Sequence, residues 1–230
     1  MAALASTPDS LPQEFSRLYE DHFAYVWRLV GRWGVPMGEV EDVVQDVFMV
    51  VHRRLADFEQ RSSVRTWLAG ITRRVVWRHR RGRDRAQRKH EALQLVARPE
   101  DAFSAHRGAA LQRLERFVQG LPEAQREVFV LSELEGLRGP EIAQATGSNL
   151  NTVYARIRAT RGRFAHWCDG RGERPHELAR SARVQGQPPA EAERRVWALL
   201  AARLPAEVTA VATAAGGVTS LKVFAVVLGV

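Results

Sequence analysis

The sequence predicts an all-α protein: two small helical domains joined by a flexible charged linker, with a C-terminal extension. Three observations predict it. Apolar residues recur at steps of three and four along most of the chain, the spacing of one helix face. The long alternations of β-branched residues that a strand needs are absent. Ala, Leu, Arg and Glu, all strong helix formers, dominate the composition. A length of 230 residues suits one large domain or two small ones.

The first domain is expected at residues 10–82. Its opening helix carries Phe15, Leu18, Tyr19, His22, Phe23, Val26, Leu29 and Val30 as a stripe, and Gly31, Gly34 and Pro36 break it. A second helix, from about Glu39 to Asp57, keeps Val40, Val43, Val44, Val47, Val50, Val51 and Leu55 in helical register. A polar loop from Glu59 to Ser63 leads to a third helix, about Val64 to Arg81, with Trp67, Leu68, Ile71, Val75 and Val76 on its apolar side. The periodicity then fades. Arg83, Asp84, Arg85, Arg88, Lys89 and Pro99 mark residues 83–104 as a charged linker, with room for some helix.

The second domain is expected at residues 105–168. Leu111, Leu114, Phe117 and Val118 form one stripe, and Leu121-Pro122-Glu123 is a break followed by a helix start. Val128, Phe129, Leu131 and Leu134 belong to the next helix, which Gly136 ends. Pro140 to Thr146 reads as a short helix closed by Gly147. Asn149, or Ser148, can cap a last helix from about Leu150 to Trp167. A short helix, a glycine turn and a longer arginine-bearing helix make the layout of a helix-turn-helix. Val153, Ile157 and Phe164 would face inward, leaving Asn151, Thr152, Tyr154, Ala155, Arg156, Arg158 and Arg161 outside. The start of such a helix enters the major groove. Asn151, Thr152, Ala155 and Arg158 therefore suit base edges, and Arg156, Arg161 and Arg163 suit phosphates.

The charge balance agrees with a polyanionic partner. There are 34 Lys and Arg against 26 Asp and Glu, a formal net charge of +8, and most of the cations are Arg. The single cysteine, Cys168, excludes an intrachain disulfide and a cysteine-based zinc site. His166 and Cys168 are too few and too local for a metal site. No secretory leader is evident before Pro12, which makes a cytoplasmic protein the expectation. There is no glycine-rich phosphate loop, no His-Glu-x-x-His and no nucleophile elbow. The expectation is a protein without catalytic residues, metal or cofactor.

The two modules together are more specific than either alone. Asp42-Val43-Val44-Gln45-Asp46-Val47-Phe48 lies on the second helix, and Arg65-Thr66-Trp67-Leu68-Ala69-Gly70-Ile71-Thr72-Arg73 on the third. Together they resemble the promoter-melting domain of the extracytoplasmic-function (ECF) sigma factors of bacterial RNA polymerase. Leu121 to Glu133 and Gly139 to Phe164 resemble that family's helix-turn-helix domain, which reads the upstream element. The resemblance spans about Phe15 to Trp167. It implies that Asp42, Gln45 and Asp46, three and four residues apart and so on one face, dock on the core polymerase. It implies that the next loop and helix hold the opened minus-ten strand, through Ser62, Ser63, Arg65 and Thr66, then Arg73, Arg74, Trp77, Arg78, Arg80 and Arg81. Trp67 reads as core, whereas Trp77 suits either base stacking or packing. The sequence departs from the family where Arg74 and Arg78 take positions usual for Asn and Asp, and Arg80 one usual for Leu. An Asp-to-Arg exchange removes an acceptor and adds phosphate affinity, so the family's base preference does not transfer and binding should be strongly salt-sensitive.

The expected partners are core RNA polymerase and promoter DNA, with an anti-sigma factor as a further candidate. The alternative is a stand-alone helix-turn-helix regulator. The extension, residues 169–230, has a linker signature at Gly186, Pro188 and Pro189 and a helix expected from Ala190 to Leu204. Val208 to Val230 has the length of a bilayer span, but Lys222 lies within it. Membrane contact is therefore the lesser reading. A regulatory tail that packs on the two domains, or binds a partner, is the greater one.

Overall fold

The computed structural model describes residues 11–59, 61–91, 109–189 and 191–204. Nine α-helices and no strand occur among them, so the all-α expectation holds. The apolar end from Val208, with Lys222, lies outside the described residues, as do 92–104 of the expected linker.

Helix α1 spans Leu11–Arg32. Its stripe from Phe15 through Tyr19, Phe23 and Val26 to Val30 is buried. Gly34 ends the turn after it at φ 85°, a left-handed conformation that costs glycine little. Pro36, extended at ψ 147°, starts α2, Met37–Arg54. Residues Val40, Val43, Val44, Val47, Phe48 and Val51 of α2 are buried. Ser63 caps α3, Val64–Glu91, by accepting the Thr66 N–H at 3.2 Å. These three helices close around an aromatic cluster in which the Tyr19 and Phe48 rings lie 4.7 Å apart.

Helix α3 is longer than expected. It continues through the stretch read as linker to Glu91. Arg, Ala and Gln there are good helix formers, and Arg83 reaches Glu39 of α2 at 3.6 Å.

The second domain contains α4 (Ala109–Gln119), α5 (Glu123–Phe129), α6 (Gly139–Thr146) and α7 (Leu150–Asp169). A π-helical turn, Val130–Leu134, continues α5 without a break. Gly136, at φ 74°, then releases the chain. Phe117, Phe129 and Phe164 form the aromatic centre, with centroids 5.1–5.5 Å apart. Gly147, at φ 66°, ends α6, and Asn149 Oδ1 accepts the Asn151 N–H at 2.9 Å. The short helix, turn and long helix of a helix-turn-helix are all present.

Two further helices follow: α8, Pro175–Gln185, and α9, Ala192–Ala201. Only the second was expected. Helix α8 packs on α4 and the π-turn, and α9 packs on α2.

The two domains are closed on one another, with α3 against α6. At the crossing, a Cβ on Gly70 would stand 3.3 Å from the Ala145 carbonyl oxygen, so a larger residue would push the helices apart.

Candidate functional site

Three surfaces were expected to carry function, and the structure treats them differently. On α2, Asp42 and Asp46 are exposed. Gln45 is not: it is 4 % exposed, and its Nε2 has no hydrogen-bond partner among the described residues. The expectation of three side chains on one open face is corrected to two. Gln45 falls on the inner flank with Glu41 and Phe48, one turn to either side. Val47 and Phe48 are core.

Helix α7, expected to be the recognition helix, has an open outer face. Asn151, Thr152, Tyr154, Ala155, Arg158 and Arg161 are exposed, and Val153, Ile157 and Phe164 are buried beneath them. Arg156 is half-buried and reaches Ser148 Oγ at 3.4 Å. Arg161 pairs with Glu133 at 2.7 Å, and Arg163 donates to Gln125 at 2.9 Å. The Tyr154 ring lies over Gly139, where an added Cβ would meet it at 2.7 Å.

The α3 surface departs most from expectation, because carboxylates of the second domain already hold much of it. Arg73 Nε donates to Glu127 Oε2 at 2.9 Å and Trp77 Nε1 to Glu127 Oε1 at 2.6 Å. Arg80 pairs with Glu123 at 2.8 Å. Arg65 donates to the Glu135 carboxylate at 3.1 Å and lies over the Tyr25 ring at 4.5 Å. Thr66 is buried, and its hydroxyl is bonded to Ser63 Oγ at 2.8 Å. Ser63 Oγ in turn reaches Glu141 at 3.4 Å. Ser63 and Thr66 therefore serve the helix start here, and in the closed form Thr66 is out of reach of a strand. Ser62 is half-buried. Arg74, Arg78 and Arg81 remain exposed, with Arg81 over the Trp77 ring at 5.1 Å. Burial and the neighbouring charges of Arg54 and Arg73 push the Arg74 guanidinium below its usual pKa. That crowding of cations favours an incoming anion. Trp67 packs on Phe58, with centroids 4.7 Å apart.

Glu135 is the centre of the domain contact. Its side chain is 2 % exposed and takes both Arg28 donors at 3.0 Å, together with Arg32 and Arg65. Charge-assisted and bidentate bonds of this kind are strong, and they offset the cost of burying the charge. Neither Glu135 nor Glu127 stands out in the sequence. The one available signal is that Glu127 sits four residues before Leu131, on the apolar side of its helix, where a charge needs a partner.

Comparison with known proteins agrees with both modules. Residues 18–86 match the family model for sigma-70 region 2, and residues 111–163 that for sigma-70 region 4. The ECF RNA polymerase sigma factor SigC of Mycobacterium tuberculosis is 32% identical over 143 residues, which cover 59% of this chain and 73% of that protein. This chain belongs to the ECF sigma factors.

The ECF sigma-E factor of Escherichia coli K12 is 30% identical over 142 residues, covering 56% of this chain and 73% of it. The sigma factor CnrH of Cupriavidus metallidurans is 28% identical over 170 residues, covering 70% and 89%. The fold matches the sigma factor RpoE in complex with the anti-sigma factor NepR from Bartonella quintana. The TM-score is 0.53 at 21% identity, over 66% of this chain and 91% of that one. It also matches CnrH in complex with the cytosolic domain of CnrY, with a TM-score of 0.50 at 24% identity, over 70% and 97%. Two sigma modules in one chain leave the stand-alone regulator unsupported. ECF sigma factors are regulatory proteins. Among the described residues, no helix is long and apolar enough to cross a membrane.

Proposed function

We propose a division of labour among the three surfaces of this sigma factor. Asp42 and Asp46 on α2 dock on core RNA polymerase. Arg73, Arg74, Trp77, Arg78, Arg80 and Arg81 on α3 hold the opened promoter strand, with Arg65 and the Ser62–Ser63 loop at its edge. Asn151, Thr152, Ala155 and Arg158 on α7 read duplex bases, while Tyr154, Arg156 and Arg161 flank them along the backbone. The work is done in the cytoplasm, beside the polymerase. An anti-sigma protein is a further partner class, a reading supported by the anti-sigma complexes of both structural neighbours.

One observation carries this reading: α2 exposes Asp42 and Asp46, whereas α3 exposes Arg74, Arg78 and Arg81 and α7 exposes Arg158, Arg161 and Arg163. On the closed molecule, Glu127 and Glu135 occupy groups that would meet phosphate. Initiation then exchanges each carboxylate for a phosphate as the domains part. Extruding a base from the stack costs a few kcal/mol, which contacts along α3 must offset.

Transcription in vitro with core polymerase on a randomised promoter library tests this. The parent should yield promoter-dependent transcripts. Arg158→Ala should change the preferred upstream bases, and Arg74→Ala/Arg78→Ala should lower open-complex yield with the upstream preference intact. No promoter-dependent transcript from the parent would refute the reading.

A further inference from the structure

We propose that α8 and α9 form an intramolecular strap whose last helix covers the inner flank of the polymerase-docking helix. On this view, the free chain must release α9 before it engages core enzyme fully. The inference rests on α2 being the docking helix, as proposed above.

Helix α9 is fitted to α1 and α2 by several different contacts. Val196 and Leu200 are 0 % exposed. Trp197 stacks on Phe15 at 6.2 Å and lies 4.8 Å from Tyr19. The Tyr19 hydroxyl donates to the Glu193 carbonyl at 2.7 Å. Arg195 grips Glu41 with two donors, at 2.6 and 3.2 Å. Glu41, Gln45 and Phe48 share one side of α2 by their spacing. Through Arg195, α9 holds Glu41 at one end of that row. At the other end it meets the Tyr19 ring that packs on Phe48. Gln45 lies between these two contacts, buried with an amide nitrogen that has no partner among the described residues, while Asp42 and Asp46 stay open beside it. A buried amide donor without a partner is costly, and a partner that offers it an acceptor gains from displacing the cover.

The other end of the strap is held by the second domain. Leu178, Ala179 and Ala182 of α8 are buried. Arg183 donates to the Glu133 carbonyl at 2.6 and 3.0 Å, and Arg32 of α1 donates to the Ala182 carbonyl at 2.6 Å. Gly186 then passes so close to Arg28 that an added Cβ would stand 2.6 Å from its Cδ. The connector with Pro188 and Pro189 thus crosses beside the Arg28–Glu135 contact and leads into α9. The strap spans both domains of the closed molecule.

Such a cover can be released. Helix α9 has ten residues, too few to persist undocked. The Arg195–Glu41 pair is partly exposed and contributes little alone. Release removes a population penalty: a surface covered in nine molecules of ten binds its partner about tenfold more weakly than when free.

The test uses the full chain and the variants Arg195→Glu and Arg195→Glu/Trp197→Ala. Core-polymerase affinity is measured by titration, and hydrogen exchange follows the amides of α1, α2 and α9. In the parent, the α9 amides should be protected. In the double variant they should lose protection while α1 and α2 keep theirs, and core affinity should rise about tenfold. Arg195→Glu, at a half-exposed position, should move both readouts in the same direction without threatening the fold. Unprotected α9 amides in the parent would overturn the inference. So would a variant with α9 released that binds core no more tightly. If no chain binds core although α9 is protected, the docking role of α2 has failed, and the strap's role falls with it.

Discussion

Glu135 shows how much a single side chain can decide here. Three arginines from the first domain converge on one buried carboxylate of the second. Glu135→Gln keeps the shape and removes the charge, taking the carboxylate away from the enclosed guanidiniums of Arg28 and Arg32. It should destabilise the closed molecule by about 3 kcal/mol, read from urea unfolding. Two histidines set a pH dependence. Burial, outweighing Asp21, lowers the pKa of His22, and burial together with Arg53 lowers that of His52. Well above pH 6.5 both are neutral in folded and unfolded chains alike. As pH falls through 6.5, the unfolded chain takes up protons first, so stability declines. The His22→Asn/His52→Asn variant should lose less stability than the parent between pH 7.5 and 5.5. An equal loss would remove these residues as the cause. In the sequence, His22 was legible as a member of the α1 stripe. Glu135 was not, because its partners lie 70 to 107 positions before it and only the folded chain brings them together.

At the scale of elements, the helix-turn-helix was the most legible part. Gly147 and Asn149 mark its turn, and the Val153–Ile157–Phe164 row marks its inner face. Asn149→Ala should cost about 1 kcal/mol and fray the start of α7, visible as faster amide exchange there. Arg158→Ala should cost about 1–3 kcal/mol for the cognate upstream sequence and little for others. Arg163→Ala should weaken all sequences alike and reduce the salt slope by about one. Helix α8 was missed because Ala179 and Ala182 do much of its packing, and small residues give a faint apolar stripe. The end of α3 was left open, as a linker with room for some helix, for a related reason. Past Arg81 it has almost no apolar residues, so periodicity has nothing to mark, and Arg83 ties it to α2 through an ion pair with Glu39.

The whole molecule is a closed pair of domains, a state that no local pattern in the sequence reveals. Its seam joins α3 to Glu123 and Glu127 of α5, to Glu135 just past the π-turn, and to Glu141 of α6. Arg65, Arg73 and Arg80, proposed above for promoter DNA, therefore bridge the two domains in the closed molecule. Glu127→Lys, which reverses the charge facing Arg73, should increase the radius of gyration in X-ray scattering without changing the helical content. Unaltered scattering would mean that the seam does not depend on this pair. Opening matters only if the chain then meets polymerase through α2, and that step is the root of the functional account. The most direct test is the affinity of core RNA polymerase for the parent and for Asp42→Arg/Asp46→Arg, both exposed substitutions. The account predicts at least about tenfold weaker binding, roughly 1.4 kcal/mol, with an unchanged circular dichroism spectrum. Equal affinity in the two proteins would contradict it.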